Sequence, residues 1–309
     1  MEAFNFLLSS DIAIVMIAIF FVILFVILLE LGIQTPNPKS AGGHWLPELR
    51  KNSVKRSFEI YALSYTFVWI SAFAVVIVLQ LYETFDESSY MYLCVTLALP
   101  FLLQPLLYAL PGEETLPIYQ RYSFKANLWL LIFSYIGSYW YTHYFYSVLG
   151  AKYTFPSWRL NNVPIALYFA AYFYFITYHT ISNMILRKIE SRYLPGYPRT
   201  LLFWTVVFAF SYFTAFMETF SISSFPYYSF DDRFMVYTVG SAFYGIYFIV
   251  SFPVFYRMDE LKGVKYTIYQ TIMDSFGASM IVLCLLDFGR LLCQIELSIP
   301  GKMCYLYKP

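Results

Sequence analysis

Charged side chains are scarce in this chain. Only 13% of its 309 residues are Asp, Glu, Lys or Arg, against about 25% in a typical soluble domain. The 20 basic and 19 acidic residues nearly cancel, so no basic field exists that would attract the phosphates of a nucleic acid. The composition therefore excludes nucleic acid as a partner.

Residue types that bind metals or carry redox chemistry are also rare. The chain has three histidines and four cysteines. The cysteines, Cys94, Cys284, Cys293 and Cys304, are scattered without CxxC or Cys/His spacing, so the sequence predicts neither a disulfide framework nor a zinc site. A di-iron or haem enzyme would need clustered histidines or a haem-binding cysteine, and a nucleotide enzyme a glycine-rich loop. The sequence has none of these patterns, which weakens a desaturase or hydroxylase interpretation.

Apolar residues, in contrast, are abundant. They make up 60% of the chain, the mean hydropathy is +0.58, and they occur in blocks of about 20 residues, the length that spans a bilayer as a helix. We therefore expect an all-α integral membrane protein, a bundle of about eight transmembrane helices. The candidate spans lie near residues 12–33, 60–82, 90–111, 127–149, 163–187, 201–222, 234–256 and 270–292.

The distribution of Lys and Arg predicts the orientation of this bundle, because positive loops stay in the cytosol. If the eight spans alternate in direction, 14 of the 20 basic residues fall on one side. They lie in the loops 34–59, 112–126, 187–200 and 257–269. The other six are Lys152, Arg159, Arg233, Arg290, Lys302 and Lys308. We therefore expect both termini to be lumenal.

Ionisable side chains inside the spans are functional candidates, because they are costly at bilayer depth. Glu218 has no basic residue three or four positions away on its helix, so desolvation favours its neutral, proton-donating form. Asp287 is followed at i+3 by Arg290, so an intrahelical ion pair accounts for it as well as a catalytic role does.

Two of the three histidines also fall within spans. His143, Glu218 and Asp287 lie at similar distances from the lumenal ends of three different helices, so we expect them to share one layer of the bundle. His179 lies near the middle of its own span. For Glu218 and for both histidines, a hydrogen bond between helices remains the structural alternative.

Aromatic residues are unusually frequent. The chain has 32 Phe, 31 Tyr and 6 Trp, or 22% of its residues, more than two interfacial belts need. Aromatic rings must therefore fill the interior, and they crowd the fourth and fifth spans. Much of this is packing, but a pocket walled by rings also suits a flat apolar ligand and stabilises a transient cation. These spans suggest a site for a sterol-like or polyprenyl molecule.

Long stretches of the sequence resemble one known family. They are KANLWLLIFSYIGSYWYTHYFYSVLGAKYTFPSWRLNNVP at 125–164, YHTISN at 178–183, SYFTAFMETFSISSFPYYSFDDR at 211–233, FYGIYFIVSFPVFYRMDE at 243–260 and LLDFGR at 285–290. These segments resemble the cycloeucalenol cycloisomerase family over about four fifths of the chain. We therefore interpret residues 1–50 as an extra N-terminal transmembrane helix with a basic cytosolic linker, and residues 51–309 as a seven-helix cyclopropyl sterol isomerase region.

The resemblance implies an intramolecular lyase of the endoplasmic reticulum membrane. Enzymes of this family open the 9β,19-cyclopropane ring of cycloeucalenol to give obtusifoliol, without a cofactor or metal. The implied partners are the cyclopropyl sterol and the lipid bilayer.

Ring opening needs an acid that protonates the bridging CH₂ group and a base that removes the proton on C8. Because both atoms lie on one face of the sterol, acid and base should project from one wall of the pocket. We expect Glu218 to be the acid and His143 or Asp287 the base, although a single carboxyl acting through a water could do both. The residues expected to contact the sterol are Tyr139 and Trp140 beside the cation, His179 or Asn183 at the 3β-hydroxyl, and Tyr212.

Two other functions fit the same composition. A non-enzymatic sterol carrier would use the buried acid and histidines only to hold helices together. A proton-coupled transporter would also contain membrane acids, but the sequence lacks the internal repeats and broken helices of such proteins.

Overall fold

The computed structural model describes residues 10–40, 42–222, 225–261 and 263–297, so Lys262, Lys302, Cys304 and Lys308 lie outside the described residues. Eight long helices form within those ranges. Two of them, α4 and α7, each contain a π-helical turn. The helices are α1 (Ser10–Gly32), α2 (Ser53–Val78), α3 (Glu87–Leu107), α4 (Tyr122–Ile136, the π turn Gly137–Tyr141, and Thr142–Leu149), α5 (Ile165–Arg192), α6 (Tyr197–Ile222), α7 (Arg233–Met235, the π turn Val236–Gly240, and Ser241–Tyr256) and α8 (Ile268–Leu292).

In the described ranges, two short antiparallel strand pairs and one isolated bridge between Pro36 and Tyr193 form the extended structure. Strand β1 (Lys152–Tyr153) pairs with β4 (Tyr228–Ser229), with Tyr153 opposite Tyr228. Strand β2 (Arg159–Leu160) pairs with β3 (Val163–Pro164). The predicted all-α fold class is confirmed.

Helix α5 is the centre of the bundle. It packs against α2, α3, α4, α6 and α7, whereas α8 packs on α4 and α7, and α1 on α6. The buried core of the bundle is largely aromatic, with Trp129, Phe133, Tyr172, Phe173 and Phe248 all fully buried or nearly so. Aromatic rings thus fill the interior, as the composition predicted.

Six helices are long and apolar enough to cross a membrane, namely α1, α2, α3, α6, α7 and α8. The chain is therefore a multi-pass membrane protein. Helix α4 is divided by its π turn, and α5 carries buried polar groups such as Thr177, His179 and Asn183. Because α5 is surrounded by other helices, these groups face protein rather than lipid. Eight crossings remain a prediction.

The loops sort into two groups at opposite ends of the helices. At one end, side chains from the start of α2, the start of α4, the end of α5 and the loop after α7 form ion pairs. Lys55, Glu59, Arg187 and Glu260 form one network, and Lys125 pairs with Asp259. At the other end, Tyr82 after α2 packs on Phe225 with 5.3 Å between ring centroids, and Tyr90 packs on Phe155 at 4.7 Å.

The ends of several helices differ from the sequence-based boundaries. Helix α2 begins at Ser53 rather than near residue 60, because the side chain of Asn52 caps it by accepting a hydrogen bond from the Lys55 amide. The segment 34–59 is docked rather than free. The backbone N–H of Asn37 donates to the backbone carbonyl of Arg192 at 2.7 Å. This bond holds the linker against the end of α5.

Candidate active site

A cavity of about 290 Å³ lies within the bundle. It lies near the end where Tyr82 packs on Phe225, which we call the aromatic end. Its walls come from α2, α3, α4, α5, α6 and α7, and most of the lining side chains are aliphatic or aromatic. Helix α5 contributes three alanines, Ala166, Ala170 and Ala171, together with larger side chains. The volume is at the lower end of that of small-molecule sites, and a largely apolar lining suits a hydrocarbon.

The strand pair β1–β4 covers the aromatic end of this cavity. Its cross-strand residues Tyr153 and Tyr228 both line the cavity, and their rings stack with centroids 4.5 Å apart. Outside, Lys152 and Asp231 form an exposed ion pair at 2.7 Å. Gly150, at φ +59°, precedes β1, and a Cβ there would collide with the Asp231 side chain. The cover therefore depends on a residue without a side chain at position 150.

Glu218, near the end of α6, lines the cavity. Its carboxyl atom Oε2 is buried and has no hydrogen-bond partner in the described ranges. The hydroxyl groups of Tyr178 on α5 and Tyr244 on α7 lie close enough to act as donors to the carboxyl. In the described part of the chain no basic group interacts with Glu218. Such a site favours a neutral carboxylic acid.

His143, on the last turns of α4, is buried but does not line the cavity. Neither ring nitrogen has a hydrogen-bond partner among the residues that the structure describes, although Asn161 interacts with the imidazole. The ring of Tyr146 meets that of His143 edge to face, with centroids 5.7 Å apart.

Asp287, on α8, also lies away from the cavity lining. Its Oδ1 accepts hydrogen bonds from Arg290 Nε at 2.9 Å and Nη2 at 2.7 Å, so the intrahelical ion pair considered from the sequence is present. The Tyr144 hydroxyl donates to the same oxygen at 3.3 Å. This bond places Asp287 next to the turn of α4 that carries His143.

His179 and Asn183 lie one turn apart on α5, outside the cavity lining. His179 Nδ1 lies 2.7 Å from the Phe175 carbonyl oxygen, and Nε2 lies 2.8 Å from the Ser251 hydroxyl on α7. Asn183 donates to Glu59 of α2 at 3.1 Å. The structural alternative for His179, a hydrogen bond between helices, is thus present.

The other three residues expected to contact the sterol also lie outside the cavity lining. The ring of Tyr139 stacks on that of Tyr135 at 6.0 Å, and Trp140 is 46% exposed. The Tyr212 hydroxyl donates to the Tyr237 carbonyl at 3.2 Å. Among the described residues that line the cavity, Glu218 is the only site residue that the sequence predicted.

Sequence reasoning missed the tyrosines around Glu218. The site interacts with six of them, Tyr153, Tyr174, Tyr178, Tyr228, Tyr244 and Tyr247. Tyr174 and Tyr178 are one turn apart on α5, and Tyr244 and Tyr247 are similarly spaced on α7. This helical spacing could have indicated that the tyrosines share one face of each helix. Because 22% of the residues are aromatic, the spacing did not distinguish these tyrosines from the others.

The arrangement can deliver a proton to an apolar molecule. A neutral carboxyl provides the proton, hydroxyl groups can stabilise the carboxylate that remains, and aromatic faces can stabilise a positive charge on the ligand. The apolar walls exclude water, which would compete for such a cation.

Comparison with known proteins gives the same indication. No family model matches the sequence, and no solved structure matches it. The chain is 42% identical over 260 residues to the curated protein cycloeucalenol cycloisomerase of Arabidopsis thaliana, an alignment that covers 83% of this chain and 93% of the relative. The chain belongs to the cycloeucalenol cycloisomerase family.

Proposed function

We propose that this protein is a cyclopropyl sterol isomerase that converts cycloeucalenol to obtusifoliol. The observation that carries the proposal is Glu218, a carboxyl in an apolar membrane cavity with no basic partner among the described residues. The relative named for this activity, 42% identical over most of the chain, supports the choice of substrate.

The reaction is an isomerisation in which one proton is added and another removed. A proton moves from the acid to C19 while the C9–C19 bond breaks, and its electron pair forms the new C19–H bond. The positive charge left at C9 then draws the C8–H bonding pair into a C8–C9 double bond, and the C8 proton leaves to a base. The chemistry therefore needs only general acid and base groups.

We assign the acid role to Glu218. Burial in the cavity favours its protonated form, and the buried, unbonded Oε2 is free to face a ligand. For the base, His143, Asp287 and the Glu218 carboxylate itself are the three candidates. We keep five residues as proposed contacts of the sterol, namely Tyr139, Trp140, His179, Asn183 and Tyr212.

We propose further that the protein has eight membrane crossings and lumenal termini in the endoplasmic reticulum membrane. The ion pairs at this end support this orientation, because they gather Lys55, Lys125 and Arg187 from three of the segments that an alternating path puts on one side and pair them with acidic residues of the fourth. Residues 1–50 would then be an additional helix and linker attached to a seven-helix isomerase region.

The proposal is tested by incubating microsomes that contain the protein with cycloeucalenol, in a host without endogenous isomerase. We expect a product of unchanged mass with one new methyl group and a C8–C9 double bond, identified by mass spectrometry and NMR. Membranes from the same host without the protein are the control. Recovery of bound but unconverted sterol would identify a carrier instead.

A further inference from the structure

The position of the base can be argued from what surrounds the cavity. His143 and Asp287, the two candidates besides Glu218, are not among the described residues that line it. Asp287 is already bonded to Arg290 and Tyr144, and His143 lies against Tyr146 and Asn161. A base that removes the C8 proton must contact the sterol, and Glu218 already does so in the proposed reaction.

Among the described residues, the titratable groups that interact with the Glu218 carboxyl are all tyrosines. They are Tyr174 and Tyr178 on α5, Tyr244 and Tyr247 on α7, Tyr153 on β1 and Tyr228 on β4. Among them, Tyr244 lines the cavity together with Glu218. The rings of Tyr178 and Tyr244 both pack on Phe248 of α7, with centroids 5.8 and 5.3 Å apart, and both hydroxyl groups interact with the carboxyl as hydrogen-bond donors.

We infer that Glu218 carries out both proton transfers, and that Tyr178 and Tyr244 are positioning residues that hold its carboxylate between the two steps. This inference rests on the proposed function. It extends that function by identifying the base and two residues that act through Glu218 rather than on the sterol.

One carboxyl group can donate the first proton and accept the second, so no net proton is gained or lost. Glu218 gives its proton to C19, the C9–C19 bond breaks, and the carboxylate remains beside a cation at C9. The C8–H bond then supplies its electron pair to the C8–C9 double bond, and the same carboxylate takes the C8 proton. The neutral acid is regenerated, so the next turnover needs no proton from a second group.

The tyrosine hydroxyls have a specific part in this cycle. Between the two steps the carboxylate is charged in an apolar cavity, where it lacks a cationic side chain. Hydrogen bonds from two hydroxyls stabilise this charged form and fix the direction in which the carboxyl points. Because C19 and the C8 proton share one face of the sterol, a carboxyl held in one place can reach both.

The first experiment measures kcat and KM of Tyr178→Phe and Tyr244→Phe with cycloeucalenol, per folded molecule. We expect kcat to fall by about 10- to 100-fold, the range for a lost hydrogen bond to a charged group, while KM changes little. Tyr92→Phe, which removes a hydroxyl from a 72% exposed side chain of α3, is the matched control. If both tyrosine variants only reduce the amount of folded protein and leave kcat normal, the positioning role is wrong.

The second experiment is the pH profile of kcat/KM between pH 5 and 9. One carboxyl that starts each turnover protonated predicts a plateau at low pH and a fall at high pH, without an acid limb. A histidine base would add an acid limb near pH 6.5. An acid limb in this range, or a loss of about 100-fold or more in Asp287→Asn, would assign the base elsewhere and overturn the inference. Absence of any conversion by the unmodified protein would instead remove the proposed function itself.

Discussion

Arg187 of α5 and Glu59 of α2 form a buried two-point ion pair, with Nη1 2.8 Å from Oε2 and Nη2 2.7 Å from Oε1. The same guanidinium also bonds Glu260 through Nε at 2.6 Å. Lys55 donates to Glu260 as well, at 2.8 Å. Two helices and the turn after α7 are therefore held together by charges that compensate one another away from water.

Removing one member of this network should destabilise the bundle strongly. Arg187→Leu leaves Glu59 buried without its main partner, and such a change costs about 3–5 kcal/mol. The unfolding midpoint of the purified protein in detergent would measure the loss. Arg187→Leu combined with Glu59→Leu should recover part of it. Lys51→Met, which breaks the exposed pair with Glu48, should cost only about 0–1 kcal/mol; equal losses in both single variants would contradict the argument.

Acid should weaken the same end of the molecule. Burial opposes ionisation of Glu260, but Lys55 and Arg187 outweigh it and lower the pKa of Glu260 from 4.5 to about 2. Because the folded state holds this carboxylate more strongly than the unfolded chain, its stabilisation is present above pH 4.5 and is lost as the pH falls toward 2.

Thermal unfolding midpoints recorded from pH 7 to pH 3 check this dependence. Glu260→Gln should show a lower midpoint at pH 7 and a flatter decline on acidification. Glu83→Gln, at an exposed position, should follow the unmodified protein. A Glu260→Gln curve parallel to that of the unmodified protein would exclude this carboxylate as the source.

Glu218→Gln should lower turnover by about 10² to 10⁴, the range for a lost general acid, while sterol binding persists. The amide keeps the shape of the side chain but has no proton to transfer. Glu30→Gln is the matched control, because Glu30 is another helix glutamate with a buried, unbonded Oε2, and it lies outside the described cavity lining. Normal turnover per folded molecule in Glu218→Gln would show that this residue only holds helices together.

Reaction in heavy water should place one deuterium in the new C19 methyl group, provided that the enzyme is equilibrated in heavy water and observed over a single turnover. The acid's proton exchanges with solvent before the sterol binds. Mass spectrometry of the product measures the label, and NMR locates it. A product without deuterium would exclude an acid that exchanges with solvent.

Glycosylation acceptor tags test the proposed orientation. Tags added at each terminus should be modified, and a tag inserted in the 187–200 loop should not be. The opposite pattern would invert the bundle, and modification at one terminus only would mean an odd number of crossings.

The sequence predicted those features that depend on one helix at a time. The Asp287 and Arg290 pair follows from their i+3 spacing. Contacts between helices depend on how each helix is rotated, which the nearly uniform apolar pattern does not define. The sequence therefore could not place Tyr178 and Tyr244 beside Glu218, or unite Arg187 with Glu59.

The π turns of α4 and α7 have a consequence for comparing members of this family. Each π turn accommodates an extra residue, which rotates the side chains that follow by roughly 100° relative to an unbroken helix. Thr142 and Phe145, just after the π turn of α4, line the cavity. A relative that lacks one residue here would present different side chains to the ligand even if every letter around the gap were identical. A single-residue deletion in α4 would therefore change the lining of the cavity as much as several substitutions.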